Sequence, residues 1–331
     1  GKSTTTSMLS SVMLDSKLDP TILIGAHFDR INANYRVGLS EYAVYEACEY
    51  VNSFHHFYPD TAIILNIDAD HLDFFKDIDD IKKSFKKFIG NVNENGTIII
   101  NGDDPNCKGL TDGCRQKVIT FGFDSSNDCF AQNVRQENGF PVFDAVLYDE
   151  RIQNIKLSVL GTHNILNALA SICCAKNYGI ENDAVISGLQ KFKGADRRFQ
   201  IVKTVNGAQI ADDYAHHPTE IEATISAAKA AGYKKICVIF QPHTYTRTKL
   251  LSDRFISSLS KADEVILTDI FSAREINTIG ASVMDITAGI KGARYISSKE
   301  DVAKFIKDSA KPNEVYILMG AGDINKTAEL L

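Results

Sequence analysis

The first residues of the chain have the composition of the second half of a phosphate-binding loop. Gly1-Lys2-Ser3-Thr4 matches the end of the pattern G-x-x-x-x-G-K-[ST]. In that pattern backbone N–H groups surround phosphates, the lysine reaches the β- and γ-phosphates, and the hydroxyl ligates Mg²⁺. A helix starting here would also direct its positive end at the anion. G-K-S is common by chance, so a helix start capped by Ser and Thr is the competing interpretation.

Two acidic segments follow predicted strands. Glu46 comes directly after the run 42–45, and the segment Asn66–Asp73 places three acids and His71 within a few residues of another apolar run. Ligands of α/β sheets bind at the carboxyl ends of strands, and Mg²⁺ prefers carboxylate oxygens. These segments therefore indicate a metal and nucleotide site. The alternatives are a solvated acidic loop for the first segment and a helix cap at Asp68 or Asp70 for the second.

Two asparagines lie on one face of a predicted helix. Asn164 and Asn167 are three residues apart in the segment G-T-H-N-I-L-N-A. Their amides offer paired donor and acceptor atoms, which suit the edge of an adenine ring. The competing interpretation is a cap at Asn164 and an ordinary buried Asn167.

A third polar region lies in the second half of the chain. The segment Asp212–Glu220, D-D-Y-A-H-H-P-T-E, ends a predicted strand with two carboxylates and opens a helix at Pro218. Its adjacent histidines point in different directions, which favours polar contacts to substrate and nucleotide over zinc. His243 and Arg247 are four residues apart after another apolar run and would converge if this segment turns helical. An arginine there is well shaped to hold a carboxylate. For a lone arginine, a solvated surface position is the competing interpretation.

Short β-branched runs alternate with amphipathic stretches throughout, which predicts an α/β fold. We expect a first domain over residues 1–195 and a second over 196–331, joined near Lys193–Arg198, where glycine and charges indicate an exposed hinge. The stretch Phe140–Leu160 predicts a hairpin beside a parallel sheet. The second domain predicts a doubly wound parallel sheet. The predicted strands are Thr21–Ile24, Ala43–Ala47, Ala62–Ile67, Thr97–Ile100, Val118–Phe121, Gln209–Asp213, Ile236–Phe240, Val265–Thr268 and Val315–Met319. The predicted helices are Thr4–Leu14, Ile78–Phe88, His163–Tyr178, Pro218–Ala231, Asp253–Ser260 and Ser298–Asp308.

Composition narrows the class of protein. The net charge of −6 gives no reason to expect broad attraction to nucleic acid or membrane, and no apolar run is long enough to cross a bilayer. The seven cysteines show no C-x-x-C spacing, which predicts reduced thiols in a cytosolic protein without structural zinc. The sequence predicts nothing about the oligomeric state.

Taken together, the motifs resemble those of the Mur ligase family in order and rough spacing. They run along the whole chain: G-K-S-T-T-T, E-A-C-E-Y-V-N-S-F, N-I-D-A-D-H-L-D, G-T-H-N-I-L-N-A, G-A-D-R-R-F, D-D-Y-A-H-H-P-T-E, F-Q-P-H-T-Y-T-R-T and G-A-G-D-I. The resemblance implies a central P-loop ATPase-type domain with a mixed sheet and a C-terminal Rossmann-like domain. Family members also have an N-terminal domain that binds the UDP-sugar, so we expect about 100–150 further residues before Gly1.

The resemblance also implies a reaction. Within the family, the segments D-D-Y-A-H-H-P-T-E and Q-P-H-T-Y-T-R are most similar to the branch that joins L-alanine to the carboxylate of UDP-N-acetylmuramate. That reaction consumes ATP with Mg²⁺ and passes through an acyl phosphate. The alternatives are a related ligase that adds a peptide, as in murein tripeptide recycling, and a catalytically incomplete fragment.

The resemblance assigns a role to each residue of the motifs. The nucleotide and metal set holds phosphates, Mg²⁺, adenine and ribose, and comprises Gly1, Lys2, Ser3, Thr4, Glu46, Asn66, His71, Asn164, Asn167 and Asp213. Within it, Ser3, Glu46 and His71 are the implied Mg²⁺ ligands. The substrate set holds the muramoyl group and the amino acid, and comprises Arg198, Tyr214, His216, His243 and Arg247. Lys2, Glu46, His71, Arg198, His216 and His243 are the implied catalytic residues, and none is assigned as general base.

Three positions depart from the family pattern. The glycine-rich half of the phosphate loop is absent, which puts nucleotide binding by this chain in question. Thr244 stands where many relatives have an arginine, so one possible carboxylate contact is missing. Phe85 aligns with a lysine that is carbamylated in several sister ligases, although Lys86 lies beside it.

Overall fold

A computed structural model describes residues 1–72 and 74–331 of the chain. Asp73, the last acid of the predicted site segment Asn66–Asp73, lies outside the described residues. The chain divides into two compact units, Gly1–Asp196 and Arg197–Leu331. This division falls one residue after the predicted boundary, and each unit is described by itself below.

The first unit is built on a six-stranded mixed sheet. Its strands lie side by side in chain order: β4 (Thr61–Ile64), β5 (Thr97–Asn101), β6 (Lys117–Gly122), β7 (Cys129–Glu137), β8 (Phe140–Leu147) and β9 (Glu150–Lys156). The pairs from β4 to β7 are parallel, and the pairs from β7 to β9 are antiparallel. The β8–β9 hairpin is the one predicted in Phe140–Leu160. Strand β7 was not predicted, because its exposed polar residues hide the strand pattern.

A separate three-stranded sheet in the first unit carries the first acidic segment. Strand β1 (Thr21–Phe28) pairs antiparallel with β2 (Ala33–Arg36) and parallel with β3 (Ala43–Tyr45). Glu46 follows β3 immediately, and its backbone N–H donates to Leu23 on β1 over 2.9 Å. The parallel pairing therefore brings Glu46 beside the middle of β1.

Four helices pack against these sheets in the first unit: α1 (Lys2–Asp15), α2 (Ile78–Ile89), α3 (His163–Asn177) and α4 (Asn182–Lys191). Every residue from Ser3 to Met13 of α1 is buried, although many are Ser or Thr. Such a helix fits only against small neighbours. Gly188 of α4 provides one, since a β-carbon there would lie 2.7 Å from the backbone nitrogen of Val12.

The second unit is a doubly wound sheet with its strands in the order β10 (Gln200–Val205), β11 (Ala208–Asp213), β15 (Glu314–Met319), β12 (Lys235–Phe240), β13 (Glu264–Leu267) and β14 (Arg294–Tyr295). All pairs are parallel except β10 with β11. The helices are α5 (Pro218–Ala230), α6 (Tyr245–Leu250), α7 (Ser252–Leu259), α8 (Val283–Gly289) and α9 (Lys299–Ser309). Strands β11, β15 and β12 end at the same edge, so the residues after them meet there.

The predicted α/β class, with a mixed sheet followed by a doubly wound parallel sheet, is confirmed. The unpredicted strand β2 and the unpredicted strand β10 both lie at sheet edges. Among the described residues, no helix has the length and apolar character needed to span a membrane.

Candidate functional site

The start of α1 is the centre of a polar cluster in the first unit. Gly1 precedes the helix, and its backbone oxygen accepts the N–H of Thr5. The N–H groups of the first helical turn have no acceptor within a helix and carry its positive dipole end. A β-carbon on Gly1 would lie 3.0 Å from Leu65 and 3.1 Å from the side-chain oxygen of Asn167. A larger residue at position 1 would therefore require these two side chains to move by a few tenths of an ångström.

Ser3 and Glu46 bring two oxygen ligands together at this helix end. The Ser3 hydroxyl donates to Glu46 Oε1 over 3.1 Å, and Gly25 N–H donates to Glu46 Oε2 over 2.8 Å. Hydroxyl and carboxylate oxygens suit Mg²⁺, which commonly takes one or two carboxylates and completes its shell with phosphate and water oxygens. The described residues hold no preformed cluster of three His, Cys, Asp or Glu side chains for a metal. These two residues accordingly fit a Mg²⁺ that enters with its nucleotide.

Lys2 and His71 meet at a second carboxylate, Glu49. Lys2 Nζ lies 2.9 Å from Glu49 Oε2, and His71 Nε2 lies 3.6 Å from Glu49 Oε1. Burial raises the pKa of Glu49, but the charges of Lys2 and His71 and hydrogen bonding outweigh it and leave this pKa lowered. His71 also packs against the ring of Tyr50 and has a φ of 53°. Such strained residues are concentrated at functional sites.

The predicted adenine-binding pair lies on α3, beside the start of α1. Asn167 donates to Asn164 over 2.9 Å, and Asn164 donates to the backbone oxygen of Leu160 over 2.7 Å. Both side chains are buried in the described structure. Asn66 lies in the segment after β4 and has an exposed side chain. The structure thus brings Gly1 and Asn167 together and places Asn66 at the surface.

The second unit carries another cluster at the carboxyl ends of β11, β15 and β12. Asp213, the last residue of β11, accepts hydrogen bonds from Phe199 N, Ala215 N and Thr224 Oγ1. Burial raises the pKa of Asp213 to about 6, although the Arg198 charge and these hydrogen bonds oppose the rise. The Asp213 carboxylate therefore holds the backbone at Phe199, just before β10, and at Ala215, just after β11.

Tyr214 forms the platform of this cluster. The guanidinium carbons of Arg197 and Arg198 lie 5.0 and 5.4 Å from its ring centre, within the range of cation–π attraction. His216 packs edge-on against the same ring, and its Nδ1 donates to the Tyr214 backbone oxygen over 2.9 Å. Arg197 also donates to Gly320 O over 2.8 Å, which joins the platform to the end of β15.

Glu220 links the arginine and histidine side of the cluster. Its carboxylate lies 3.7 Å from Arg198 and 3.4 Å from His216. Burial raises the pKa of Glu220, but the His216 and Arg198 charges prevail and leave it well below its usual range. The carboxylate also accepts the N–H groups of His216 and His217 at the start of α5. Glu220 was not predicted, although its spacing after His217 is that of a capping box.

His243 and Arg247 converge as the sequence spacing predicted. The His243 ring lies 5.9 Å from the His216 ring and stacks on Phe271 at 5.7 Å with an interplanar angle of 12°. Arg247 donates to His243 O over 3.1 Å and lies 3.2 Å from His243 Nδ1. The contact of Phe271 was not predicted, because no motif marks this loop in the sequence.

These features are those of an enzyme built from two α/β units, with a polar cluster at a helix start in the first and a cationic, aromatic cluster in the second. Residues 1–175 match the Mur ligase middle domain, and residues 197–322 match the Mur ligase, glutamate ligase domain. The chain belongs to the Mur ligase family, whose members are ATP-dependent ligases.

Several relatives match over almost the whole chain. The UDP-N-acetylmuramate–L-alanine ligase of Agathobacter rectalis is 46% identical over 334 residues, which cover 99% of this chain and 73% of the relative. The ligase of the same name from Acetivibrio thermocellus is also 46% identical, over 100% of this chain and 72% of the relative.

Solved structures of the family have the same fold. The crystal structure of UDP-N-acetylmuramate–alanine ligase from Thermotoga maritima has a TM-score of 0.81 and 28% identity, covering 99% of this chain and 72% of that one. A murein peptide ligase from Psychrobacter arcticus has a TM-score of 0.72 and 24% identity, over 100% of this chain and 74% of that one. The second likeness is one of fold.

Proposed function

We propose that the protein joins L-alanine to the carboxylate of UDP-N-acetylmuramate in peptidoglycan precursor synthesis, with cleavage of ATP to ADP and phosphate. The observation that carries the proposal is the 46% identity, over 99% of the chain, to a ligase of that name. The cationic cluster around Tyr214 and His243 supports it, because both acidic substrates need positive partners. A reaction that consumes ATP and a UDP-sugar belongs in the bacterial cytoplasm.

The proposal divides the work between residues 1–195, as the ATP-binding domain, and residues 196–331, as the domain for the amino acid. The substrate carboxylate attacks the γ-phosphate, ADP leaves, and the acyl phosphate forms. The amine of alanine then attacks the acyl carbon, and phosphate leaves with formation of the amide. Phosphoryl transfer requires positioning and charge neutralisation more than covalent chemistry by the protein.

In this proposal, Gly1, Lys2, Ser3 and Thr4 hold the phosphates. Mg²⁺ neutralises charge that develops on the phosphate oxygens when it is bound. Ser3 and Glu46 are its candidate ligands, supported by their adjacent oxygens. His71 is a further candidate; its contacts within the cluster are to Glu49 and Asp70.

The remaining nucleotide contacts are proposed from the family resemblance. Asn164 and Asn167 would contact adenine, and Asp213 would approach the ribose. For the asparagines this requires their mutual hydrogen bond to open or to orient one amide toward the base. Asn66 would support the nucleotide from the segment after β4.

The substrate side is proposed on the second unit. Arg198 steadies the muramoyl or phosphate end, and its guanidinium is oriented by Tyr214 and Glu220. His216 and His243 flank the acceptor amine. Arg247 binds the carboxylate of alanine, which a guanidinium can hold through two parallel hydrogen bonds.

The test is phosphate release by the full-length protein containing this chain, with UDP-N-acetylmuramate, ATP, Mg²⁺ and one amine acceptor at a time. We expect release with alanine to exceed release with the murein tripeptide by at least tenfold. Hydroxylamine in place of alanine should yield a hydroxamate, which reports activation of the carboxylate alone. Preference for the tripeptide would contradict the alanine assignment and leave the ligase class standing, whereas absence of hydroxamate would contradict carboxylate activation.

A variant tests the nucleotide half separately. Glu46→Gln should weaken Mg²⁺-dependent binding of an ATP analogue at least tenfold and leave metal-free binding within twofold. Calorimetry on this chain, and on a form extended at its N terminus by a strand and a glycine-rich loop, measures both. Glu94→Gln, at an exposed residue remote from the motifs, is the matched control. Equal binding by Glu46→Gln and the unsubstituted protein would remove Glu46 from the metal site.

A further inference from the structure

The turn Ser272–Glu275 is held by hydrogen bonds and ring packing against the segment that carries His243 and Arg247. Phe271 N–H donates to Pro242 O over 2.8 Å, and the Phe271 ring stacks on His243. Glu275 Oε2 accepts the backbone N–H of Thr246 over 2.8 Å. The turn is thus attached on both sides to the residues that flank the proposed amino-acid site.

The conformation of the turn presents Arg274 at its tip. Glu275 N–H donates to Ser272 O over 2.9 Å, which closes the turn around Ala273 and Arg274. Ala273 has a φ of 52°, a left-handed conformation that alanine seldom adopts. Residues held in this way mark positions where surrounding contacts outweigh local strain, often at ligand sites.

Arg274 lies one residue from Glu275, and Arg247 lies one residue from Thr246. Neighbouring Cα atoms are about 3.8 Å apart, and Glu275 and Thr246 are joined by a direct hydrogen bond. Each arginine is therefore the chain neighbour of one partner of this hydrogen bond, so the backbones of Arg274 and Arg247 lie near each other. Arg274 is exposed and forms no hydrogen bond or ion pair with any described residue of the chain.

The anion to be bound offers two oxygens. Arg247 directs one nitrogen, Nη1, at His243, which occupies part of its fork in the described structure. Thr244, at the start of α6, has no charge to contribute. A carboxylate at this place would lack a second cation unless another segment supplied one, and Arg274 is the arginine that the adjacent turn carries.

We propose that Arg274 is a second cationic ligand for the carboxylate of the amino-acid substrate, acting opposite Arg247. This inference rests on the proposed function, because it requires an amino acid as the acceptor. The turn supplies from a neighbouring loop the charge that Thr244 lacks. Arg274 thereby makes the site selective for acceptors with a free carboxylate.

The experiment compares Arg274→Ala, Arg274→Lys and a control, Arg115→Ala, in the full-length protein containing this chain. Arg115 is an exposed arginine of the first unit and carries the same charge change. Steady-state rates give kcat and KM for alanine, for ATP and for L-alaninamide, which has the amine but no carboxylate. Thermal unfolding confirms that the variants fold.

For Arg274→Ala we expect KM for alanine to rise at least tenfold, with kcat and KM for ATP within twofold. Selectivity for alanine over alaninamide should fall by a similar factor, because the lost contact is to the carboxylate. Arg274→Lys should restore part of both, and Arg115→Ala should change neither. Unchanged KM, or equal loss with alanine and alaninamide, would overturn the inference even if the unsubstituted protein ligates alanine normally. Failure of the unsubstituted protein to use alanine would instead overturn the proposed function.

Discussion

The ammonium group of Lys2 lies 2.9 Å from a carboxylate oxygen of Glu49, at the start of α1 where a phosphate is expected. Lys2 and Glu49 thus neutralise each other in the described structure. The pKa of Lys2 is raised: burial opposes the rise, but the pairing with Glu49 is stronger. A nucleotide phosphate that enters must share this cation with Glu49.

Because the phosphate and Glu49 compete for Lys2, substitutions of Lys2 and of Glu49 should change nucleotide affinity in opposite directions. Lys2→Ala should weaken binding of an ATP analogue at least tenfold, because the phosphates lose a direct charge. Glu49→Gln should tighten it severalfold, because a negative charge beside the phosphates is removed. Calorimetry at two salt concentrations measures both, and the Glu49→Gln effect should shrink at high salt. Weaker binding by Glu49→Gln would show that Glu49 supports the nucleotide.

Asp15 at the end of α1 ties three elements together. Its carboxylate accepts from Arg30 over 2.6 Å, from Ser187 over 2.5 Å and from Lys191 over 2.8 Å. Asp15→Asn should lower the free energy of unfolding of the first unit by about 1–2 kcal/mol at pH 7, since it leaves the partly buried guanidinium of Arg30 without its anion. Urea unfolding, with hydrogen exchange to localise the loss to α1 and α4, checks this.

The difference in stability between the unsubstituted protein and Asp15→Asn should also depend on pH. Burial raises the pKa of Asp15, but its hydrogen bonds and the Arg30 charge outweigh this and leave the pKa below its ordinary 3.8. The folded state therefore binds fewer protons than the unfolded state as pH falls. The advantage over Asp15→Asn should be complete above about pH 5 and decline below pH 4. An advantage that persists undiminished at pH 2 would contradict this origin.

Asp213 should show the opposite dependence. Burial raises its pKa from 3.8 to about 6, so the folded state binds the proton more tightly than the unfolded state. Stability should therefore fall as pH rises from about 4 to about 6, by up to about 3 kcal/mol, and then level off. Asp213→Asn should remove this slope. Equilibrium unfolding of both proteins across pH 4–7 measures it, and parallel curves would mean that the three hydrogen bonds keep Asp213 ionised.

Gly188 tests the packing of α1. In an open helix, replacement of glycine by alanine stabilises by about 1 kcal/mol. Here the added carbon would lie 2.7 Å from the backbone of Val12, so Gly188→Ala should destabilise by about 1–3 kcal/mol instead. Gly90→Ala at the end of α2 is the control, because Gly90 has an αR backbone and a β-carbon there would have no neighbour closer than 3.3 Å. Thermal unfolding decides the sign, and a gain in stability by Gly188→Ala would refute the close contact.

The sequence predicted the elements whose pattern is unambiguous. Parallel strands such as Thr97–Asn101 and Glu314–Met319 are buried at every residue and contain continuous apolar runs, and their predicted bounds differ from the structure by one residue at an end. The edge strand β10 was not predicted, because five of its six residues are exposed and no apolar alternation marks it. The helix α4 was also not predicted.

The candidate site was predictable where residues share a motif. The four-residue spacing of His243 and Arg247 predicted that they would converge on a helical turn. They do meet, but the helix α6 begins only at Tyr245, so His243 reaches Arg247 from the segment that precedes the helix. Glu49 belongs to the acidic segment Glu46–Glu49 that the sequence indicated, but it received no role of its own. Phe271 and Glu275 were not predicted, since their contacts come from a segment distant in sequence. Lys2 and Glu49, for instance, are 47 residues apart and meet only in the folded unit.

The uniform burial of α1 leaves it without the apolar stripe that normally fixes how far a helix is turned about its axis. Ser11 supplies that information instead: its hydroxyl donates to Gly188 O over 2.6 Å and accepts from Arg30 over 2.7 Å. A slip of one residue would rotate Ser11 by about 100° and break both bonds. Ser3 lies eight residues earlier, about 12 Å along the axis of the same helix. The contacts of Ser11 thus determine how the opposite end of the helix is oriented, and with it the proposed phosphate-binding turn at Ser3.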